Sequence, residues 1–324
     1  MGDPTVSVVV TACADSPPLR SCLAQAYEQS RALHGELVLV FNAAEEVLSQ
    51  QALRELRQLS DALLFEPTPG KSNALNRAVE ACRGEVVAFT DDDAEPQPGW
   101  LAALTRPLLA PDRAPSLVGC GGPVEPIFPE ETPSWLRARI ESKHTYFLGP
   151  RHELGALPIE YSAEDDVRSG IPLGANCAYR REVFSQYRYD PLLGPNRQTG
   201  MRGGEDTLLA MQLLRDGRRL QYCPDARVRH PVEPERMTLG YVKRGYFMQG
   251  REWARIRHRL GSAVPAEADV RRKVLGLRIK LYAARARLAL RRDAESRDRS
   301  RRLLLKLERW RGLLAELRSP ASKA

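Results

Sequence analysis

Apolar and polar positions alternate with two different periods along the first hundred residues. Val6–Ala12 is a run rich in β-branched residues. Residues 17–33 then show helical spacing, opened by Ser16 as a cap with proline in the first turn. Glu36–Phe41 is a second apolar run, 45–59 a second amphipathic stretch and Ala62–Phe65 a short third strand. Residues 71–82 are helical again, stopped by Gly84, and 85–90 form a fourth strand. Strand and helix in turn, joined by short connections, predict an α/β fold with a parallel sheet wound by helices. Ligands of such sheets sit at the carboxyl ends of the strands. Here those ends are Thr11-Ala12, Asn42, Glu66-Pro67 and Asp91-Asp92-Asp93.

From about 116 to 230 the pattern is less regular and richer in glycine and proline, with loops expected at 121–133 and 151–170. Helical segments stand out at 180–187 and 205–216. Residues 239–317 carry no strand signal and read as long arginine-rich helices, interrupted near 261–265 and about 293–300. No repeat of fixed period is present.

Composition changes this picture little. With 43% hydrophobic residues there is enough material for a core. No stretch approaches the roughly 20 uninterrupted apolar residues that span a bilayer. Residues 1–4 lead straight into the first apolar run without a basic region, which does not read as a signal peptide. The six cysteines lie far apart with no C-x-x-C pair, so they are expected to be reduced, buried and without chemistry in a cytoplasmic protein. Charge is more informative. Of the net +8, residues 271–311 carry 16 Lys/Arg against 4 Asp/Glu, a balance of +12 that leaves −4 for the rest.

The densest chemistry is Asp91-Asp92-Asp93. Three adjacent carboxylates repel one another and are best tolerated where a cation or solvent takes up the charge. Alternate residues at a strand end share a side, so Asp91 and Asp93 could hold a divalent ion; a solvated acidic turn is the alternative. Just upstream lies Pro69-Gly70-Lys71-Ser72-Asn73-Ala74-Leu75-Asn76-Arg77, and just downstream Gly99-Trp100-Leu101. Further on come Gly174-Ala175-Asn176-Cys177-Ala178-Tyr179-Arg180-Arg181 and Gly203-Gly204-Glu205-Asp206-Thr207-Leu208-Leu209.

With these five motifs in order, the sequence resembles glycosyltransferase family 2 over about residues 5–232. The resemblance implies a Rossmann-like nucleotide-diphospho-sugar transferase fold of the A type, with a C-terminal helical extension outside the common pattern. The chain then divides into a catalytic domain, 1–235, and a basic helical region, 236–324. Within the domain, 1–115 is the nucleotide-sugar half and 116–235 the acceptor half.

The resemblance also assigns roles. Asp91 and Asp93 become the D-x-D motif, with Asp93 ligating Mn²⁺ or Mg²⁺ and Asp91 reaching the ribose or the metal's waters, and with Asp92 beside the donor. Glu205-Asp206 opens a helix, where acidic residues are commonplace because they suit the dipole; the resemblance makes Asp206 the general base and Glu205 its fallback. His230 is either a structural histidine or a third metal ligand. Lys71, Asn76 and Arg77 stand near a helix start suited to a diphosphate, with Lys71 as the donor contact or else a surface lysine. Asn42 stands where many relatives carry an aspartate that contacts the base, and Thr11 and Ala12 would line the base pocket through their backbone. Asn176 would offer its amide to a sugar hydroxyl, and Trp100 and Trp135 are sugar platforms or core.

The tail has three readings. It is a helical hairpin with solvated arginines, or an interfacial helix at an anionic membrane through residues 271–317, or a nonspecific polyanion binder. No specific nucleic-acid partner is expected. The activity implied is an inverting, metal-dependent transfer from a nucleotide-diphosphate sugar, UDP-sugar favoured, to a saccharide or lipid-linked acceptor in surface polysaccharide or glycolipid synthesis. The site would lie in the cytoplasm or peripherally at the inner membrane face. An aspartyl-phosphate phosphatase would want Thr or Val where Glu95 stands, and a nucleotidyltransferase a glycine-rich basic loop where Ala12-Cys13-Ala14-Asp15 stands. A catalytically inactive scaffold docking through the basic tail is the rival from another class.

Overall fold

All seven residues of the first apolar run, β1 (Val6–Ala12), are buried, because helices cover both faces of the sheet it starts. In this computed structural model, which describes residues 4–141, 148–149, 151–162 and 171–319, the chain continues through α1 (Pro17–Ala32), β2 (Glu36–Phe41), α2 (Gln50–Gln58), β3 (Ala62–Phe65), α3 (Lys71–Ala81) and β4 (Val86–Asp91). Ser16 caps α1, its Oγ accepting from Leu19 N at 3.3 Å. The stretch 45–59 is broken: a 3₁₀ turn at Glu45–Val47 precedes α2, which has its own cap in Ser49. Next come β5 (Glu95–Pro96), α4 (Trp100–Leu109), β6 (Leu117–Gly121), β7 (Val124–Ile127), α5 (Ser134–Glu141), β8 (Ile159–Glu160), β9 (Asn176–Arg180), α6 (Glu205–Arg215), β10 (Arg219–Tyr222) and β11 (Val228–Pro231).

The main sheet has the order β3-β2-β1-β4-β9-β6-β10-β8. It is not wholly parallel, because β9 runs antiparallel between β4 and β6. Residues 180–187, expected to be helical, are instead the end of β9 and a 3₁₀ turn at Arg181–Ser185. A second sheet, β5-β11-β7, takes part of the expected loop 121–133. Residues 163–170 of the other expected loop lie outside the described residues. Trp100 is fully buried in the core between α4 and the sheet. Five of the six cysteines are buried and all are free, but Cys13, expected inside, is exposed at the end of β1.

By its packing the chain forms two units. One comprises 1–127, 149–199 and 205–231 and holds both sheets. The other comprises 128–148, 200–204 and 232–324; it takes in 128–148, which the sequence reading placed in the acceptor half.

In the helical unit α7 (Leu239–Arg259) and α8 (Glu267–Arg291) both pack on α9 (Ala294–Leu317). Gly250 and Gly312 let α7 and α9 touch backbone to backbone. A Cβ on Gly312 would lie 1.7 Å from the Phe247 carbonyl oxygen, and one on Gly250 1.9 Å from that of Arg309. Fully buried Glu316 accepts from Arg251 Nε and Arg255 Nε, each at 2.8 Å. Gly312→Ala should therefore destabilise this unit by about 3 kcal/mol, since a backbone clash outweighs the ~1 kcal/mol gained in helix propensity. Gly276→Ala on α8, where an added Cβ meets nothing within 4 Å, should gain that propensity. Urea midpoints moving in opposite directions for the two variants would bear this out; equal midpoints would mean that the helices separate at no cost.

Candidate active site

The acidic turn is built by two sheets. Asp91 ends β4, and Asp92 and Asp93 lead directly into β5. β11 pairs antiparallel to β5 with Arg229 opposite Glu95, so His230 is carried back over the turn. Its Nε2 lies 3.3 Å from Asp93 Oδ1 and 3.6 Å from Asp91 Oδ2. Its Nδ1 lies 3.2 Å from the Pro231 carbonyl, which can only accept; donation there orients the ring so that Nε2 faces the two carboxylates, where it holds a proton between them or, in the proton's place, would ligate a cation.

One ligand atom from each of Asp91, Asp93 and His230 falls within 4.8 Å of the others. Two carboxylate oxygens and an imidazole nitrogen aimed at a common point suit a divalent cation with open positions left for a ligand. The surrounding charge agrees. Burial, then Asp93 and Asp91, push the Asp92 carboxyl up to about 7. Burial alone would raise Asp91 too, but Lys71 and His230 outweigh it and hold its carboxyl well below the usual range.

Lys71 opens α3 and its Nζ pairs with Asp91 Oδ1. Burial disfavours the ammonium, yet Asp91 and Glu205 together raise its pKa well above normal. Lys71 also lines a small, partly open pocket with Leu75, Phe89, Thr90, Gly174, Tyr189, Glu205 and Asp206. The Asp206 carboxylate is held by three donors: Gly174 N at 2.8 Å, Thr207 N at 2.6 Å and Thr207 Oγ1 at 3.3 Å. Each oxygen retains acceptor capacity, so the group is oriented without being saturated. Glu205 differs. It is buried, its Oε2 has no hydrogen-bond partner among the described residues, and burial followed by Asp206 raises its pKa to about 8. It is therefore mostly protonated near neutrality and poorly suited to accept a proton.

Several other predicted contacts are turned inward. Asn176 is fully buried; its Oδ1 accepts from Trp100 Nε1 at 2.8 Å and its Nδ2 donates to the carbonyls of Pro123 and Ala226. It fastens β9 and α4 to the β6–β7 and β10–β11 connections and has nothing to offer a sugar hydroxyl. The same bond settles Trp100 as core. Asn76 clamps the backbone of Tyr189 through both its amide atoms. Asn42 donates to the carbonyls of Glu66 and Thr68 and accepts from Gly70 N, each within 2.9 Å. An aspartate could not make the two donations, so here the residue shapes the loop ahead of Lys71 instead of facing a base. At the α3 N-terminus the Lys71 N–H is already taken, donating to the Pro195 carbonyl at 2.9 Å. Thr11 and Ala12 do lie at the end of β1, nearly covered, and the Ala12 carbonyl is taken by Asn42 N. Trp135 is half-buried in the helical unit with the Arg301 guanidinium over its ring.

Sequence reasoning missed Tyr189 and Thr90. Thr90 sits one position before a motif that drew all the attention, and Tyr189 lies in a segment with no periodicity, 113 residues from the asparagine that fixes it.

The mixed sheet with its acid cluster at the strand ends has the architecture of the A-type glycosyltransferases. Residues 4–245 match the family model described as glycosyltransferase like family 2, and the chain belongs to that family and is a glycosyltransferase. It is 26% identical over 240 residues to a glucosyl-dolichyl phosphate glucuronosyltransferase of Haloferax volcanii, covering 72% of this chain and 70% of that one. It is 28% identical over 192 residues to the succinoglycan biosynthesis protein ExoM of Rhizobium meliloti, covering 59% and 54%. Among solved structures it resembles in fold a mannosyltransferase of Pyrobaculum calidifontis in complex with GDP-Man and Mn²⁺. That likeness has a TM-score of 0.57 at 17% identity and covers 98% of this chain and 88% of that one.

Proposed function

We propose that the chain transfers a sugar, with inversion, from a nucleoside-diphosphate donor to a hydroxyl of a saccharide or lipid-linked acceptor. The observation that carries this reading is the Asp206 carboxylate, fixed by three donors on a pocket also lined by Lys71, whose ammonium pairs with Asp91 of the acid cluster. Asp206 takes the proton of the acceptor hydroxyl as that oxygen bonds to the anomeric carbon. The bond from that carbon to the diphosphate oxygen breaks on the opposite face, and the nucleoside diphosphate leaves with the electron pair. Asp91, Asp93 and His230 would hold a divalent cation, Mn²⁺ or Mg²⁺, supplying positive charge for the departing diphosphate. Lys71 keeps Asp91 ionised and in place. A UDP-sugar is the favoured donor, and the lipid-phosphate and polysaccharide products in the relatives' names support an acceptor of either kind.

A thermal-shift series with UDP, GDP and dTDP, each with and without Mn²⁺, tests the reading. UDP with Mn²⁺ should raise the melting temperature by several degrees. Saturation at about a hundred times Kd contributes about 2.7 kcal/mol, or roughly 2–4 °C per kcal/mol for a domain of this size. If no nucleotide shifts the transition with metal present, the donor site is not where it is placed here.

A further inference from the structure

α8 buries one face and exposes an unusual one. Val270, Val274, Leu277 and Leu281 pack in the cluster shared with Ala254 of α7 and with Leu307 and Leu313 of α9. On the other side Leu275, Ile279, Tyr282 and Leu290 stand 59%, 63%, 79% and 86% exposed. They are four of the seven large apolar side chains exposed among the described residues. Their spacing of four, three and eight residues puts them on one stripe of the helix, with exposed Ala286 between Tyr282 and Leu290. From 270 to 292 the chain has nine Lys/Arg and no Asp/Glu. Arg278, Arg285 and Arg287 are exposed beside the stripe, as is Arg272, which pairs with Asp269 at the start of the helix. α9 is different: Leu305, Leu307 and Leu313 point inward, and its arginines have acidic neighbours, as in Arg302 with Asp298 and Arg311 with Glu308.

We propose that this face of α8 docks on an anionic lipid bilayer, lying in the interface without crossing it. An exposed apolar stripe flanked by exposed arginines matches a surface with acyl chains below and negative headgroups above. From Leu275 to Leu290 the stripe runs about 22 Å at ~1.5 Å per residue, long enough to lie along the headgroup boundary. A second copy of the chain fits poorly, since pairing two such faces would bring two rows of arginine together. A polyanion such as RNA would satisfy the charge but leave the leucines, isoleucine and tyrosine without a partner. No helix among the described residues is long and apolar enough to cross a membrane, so the contact would be peripheral.

The test is co-sedimentation of the full chain with phosphatidylcholine vesicles, with or without phosphatidylglycerol, across a salt series. Binding is the readout, so the outcome does not depend on the donor or base assignments. The wild type should bind only the phosphatidylglycerol vesicles, less as salt rises. One variant combines Leu275→Gln, Ile279→Gln, Tyr282→Gln and Leu290→Gln, which keep helix propensity at exposed positions. A second combines Arg278→Glu, Arg285→Glu and Arg287→Glu. With circular dichroism and melting temperature unchanged, each should lose binding, the charge variant by about a hundredfold given roughly a factor of five per basic residue. Equal wild-type binding to neutral vesicles, or undiminished binding by the glutamine variant, overturns the proposal, the latter in favour of nonspecific polyanion attraction. A wild-type dimer that ignores vesicles and dissociates in the glutamine variant overturns it in favour of self-association.

Discussion

Asp206→Asn lowers turnover by about 10²–10⁴-fold while leaving donor binding close to that of the wild type. This is the range expected when a positioned acid–base group is lost. The substitution preserves shape. An asparagine amide can still accept from one of the backbone donors now on the carboxylate, Gly174 N or Thr207 N, but turns an NH₂ toward the other. That mismatch costs roughly 1 kcal/mol of stability, too little to unfold the domain. The decisive comparison is with Glu205→Gln. Glu205 is raised to about 8 by burial and by Asp206, so near neutrality its carboxyl is already mostly uncharged, and glutamine imitates that state. Its turnover should fall much less. Steady-state kinetics on both variants decides the matter: equal losses, or a larger loss for Glu205→Gln, would move the base away from Asp206.

Asp93→Asn removes the Mn²⁺-dependent part of UDP binding altogether, seen as loss of the melting-temperature rise that UDP produces with Mn²⁺ in the wild type. Asp93 Oδ1 is the oxygen nearest His230 Nε2, and the neutral amide withdraws one of the two carboxylates aimed at a shared cation. The apo protein should be as stable as before or slightly more so, because Asp93 is the neighbouring charge that contributes most to raising Asp92. Calorimetry with Mn²⁺ alone gives an independent reading of the same site. A variant that retains the full UDP and Mn²⁺ shift would show that the cation is held elsewhere.

The ends of β1, β2 and β3 could be read from the sequence to the residue because each is a short, mostly apolar run set off from the helical spacing beside it. β9 could not. Its Asn-Cys-Ala-Tyr-Arg has neither the β-branched content nor the alternation that marks a strand, and it is a strand because β4 and β6 lie on either side of it. The acid turn stood out because three adjacent carboxylates repel one another, whereas Lys71, Glu205 and Asp206, residue types common at helix starts, were singled out only through the family resemblance. The three asparagines were not. An amide serves equally well to hold a ligand or a loop, and the carbonyls that occupy Asn176 belong to Pro123 and Ala226, 53 and 50 residues away. The basic tail was legible in composition only. Which leucines face in on α9 and which face out on α8 depends on the helices they meet, and periodicity alone does not supply that.

The pairing of β5 with β11 bears on the order in which this enzyme comes into being. Asp91 and His230 are joined through strands that meet only once the chain has been made as far as Pro231, and β9 enters between β4 and β6 later than both. A growing polypeptide that has completed the β1–β4 half carries its three aspartates before the histidine exists. Such long-range closure is slow relative to local helix formation. During synthesis the acid turn thus has Lys71 but not His230 as a positive neighbour, and stays net negative at the end of an unfinished sheet. Like charge of this kind discourages neighbouring nascent chains from adding a strand there.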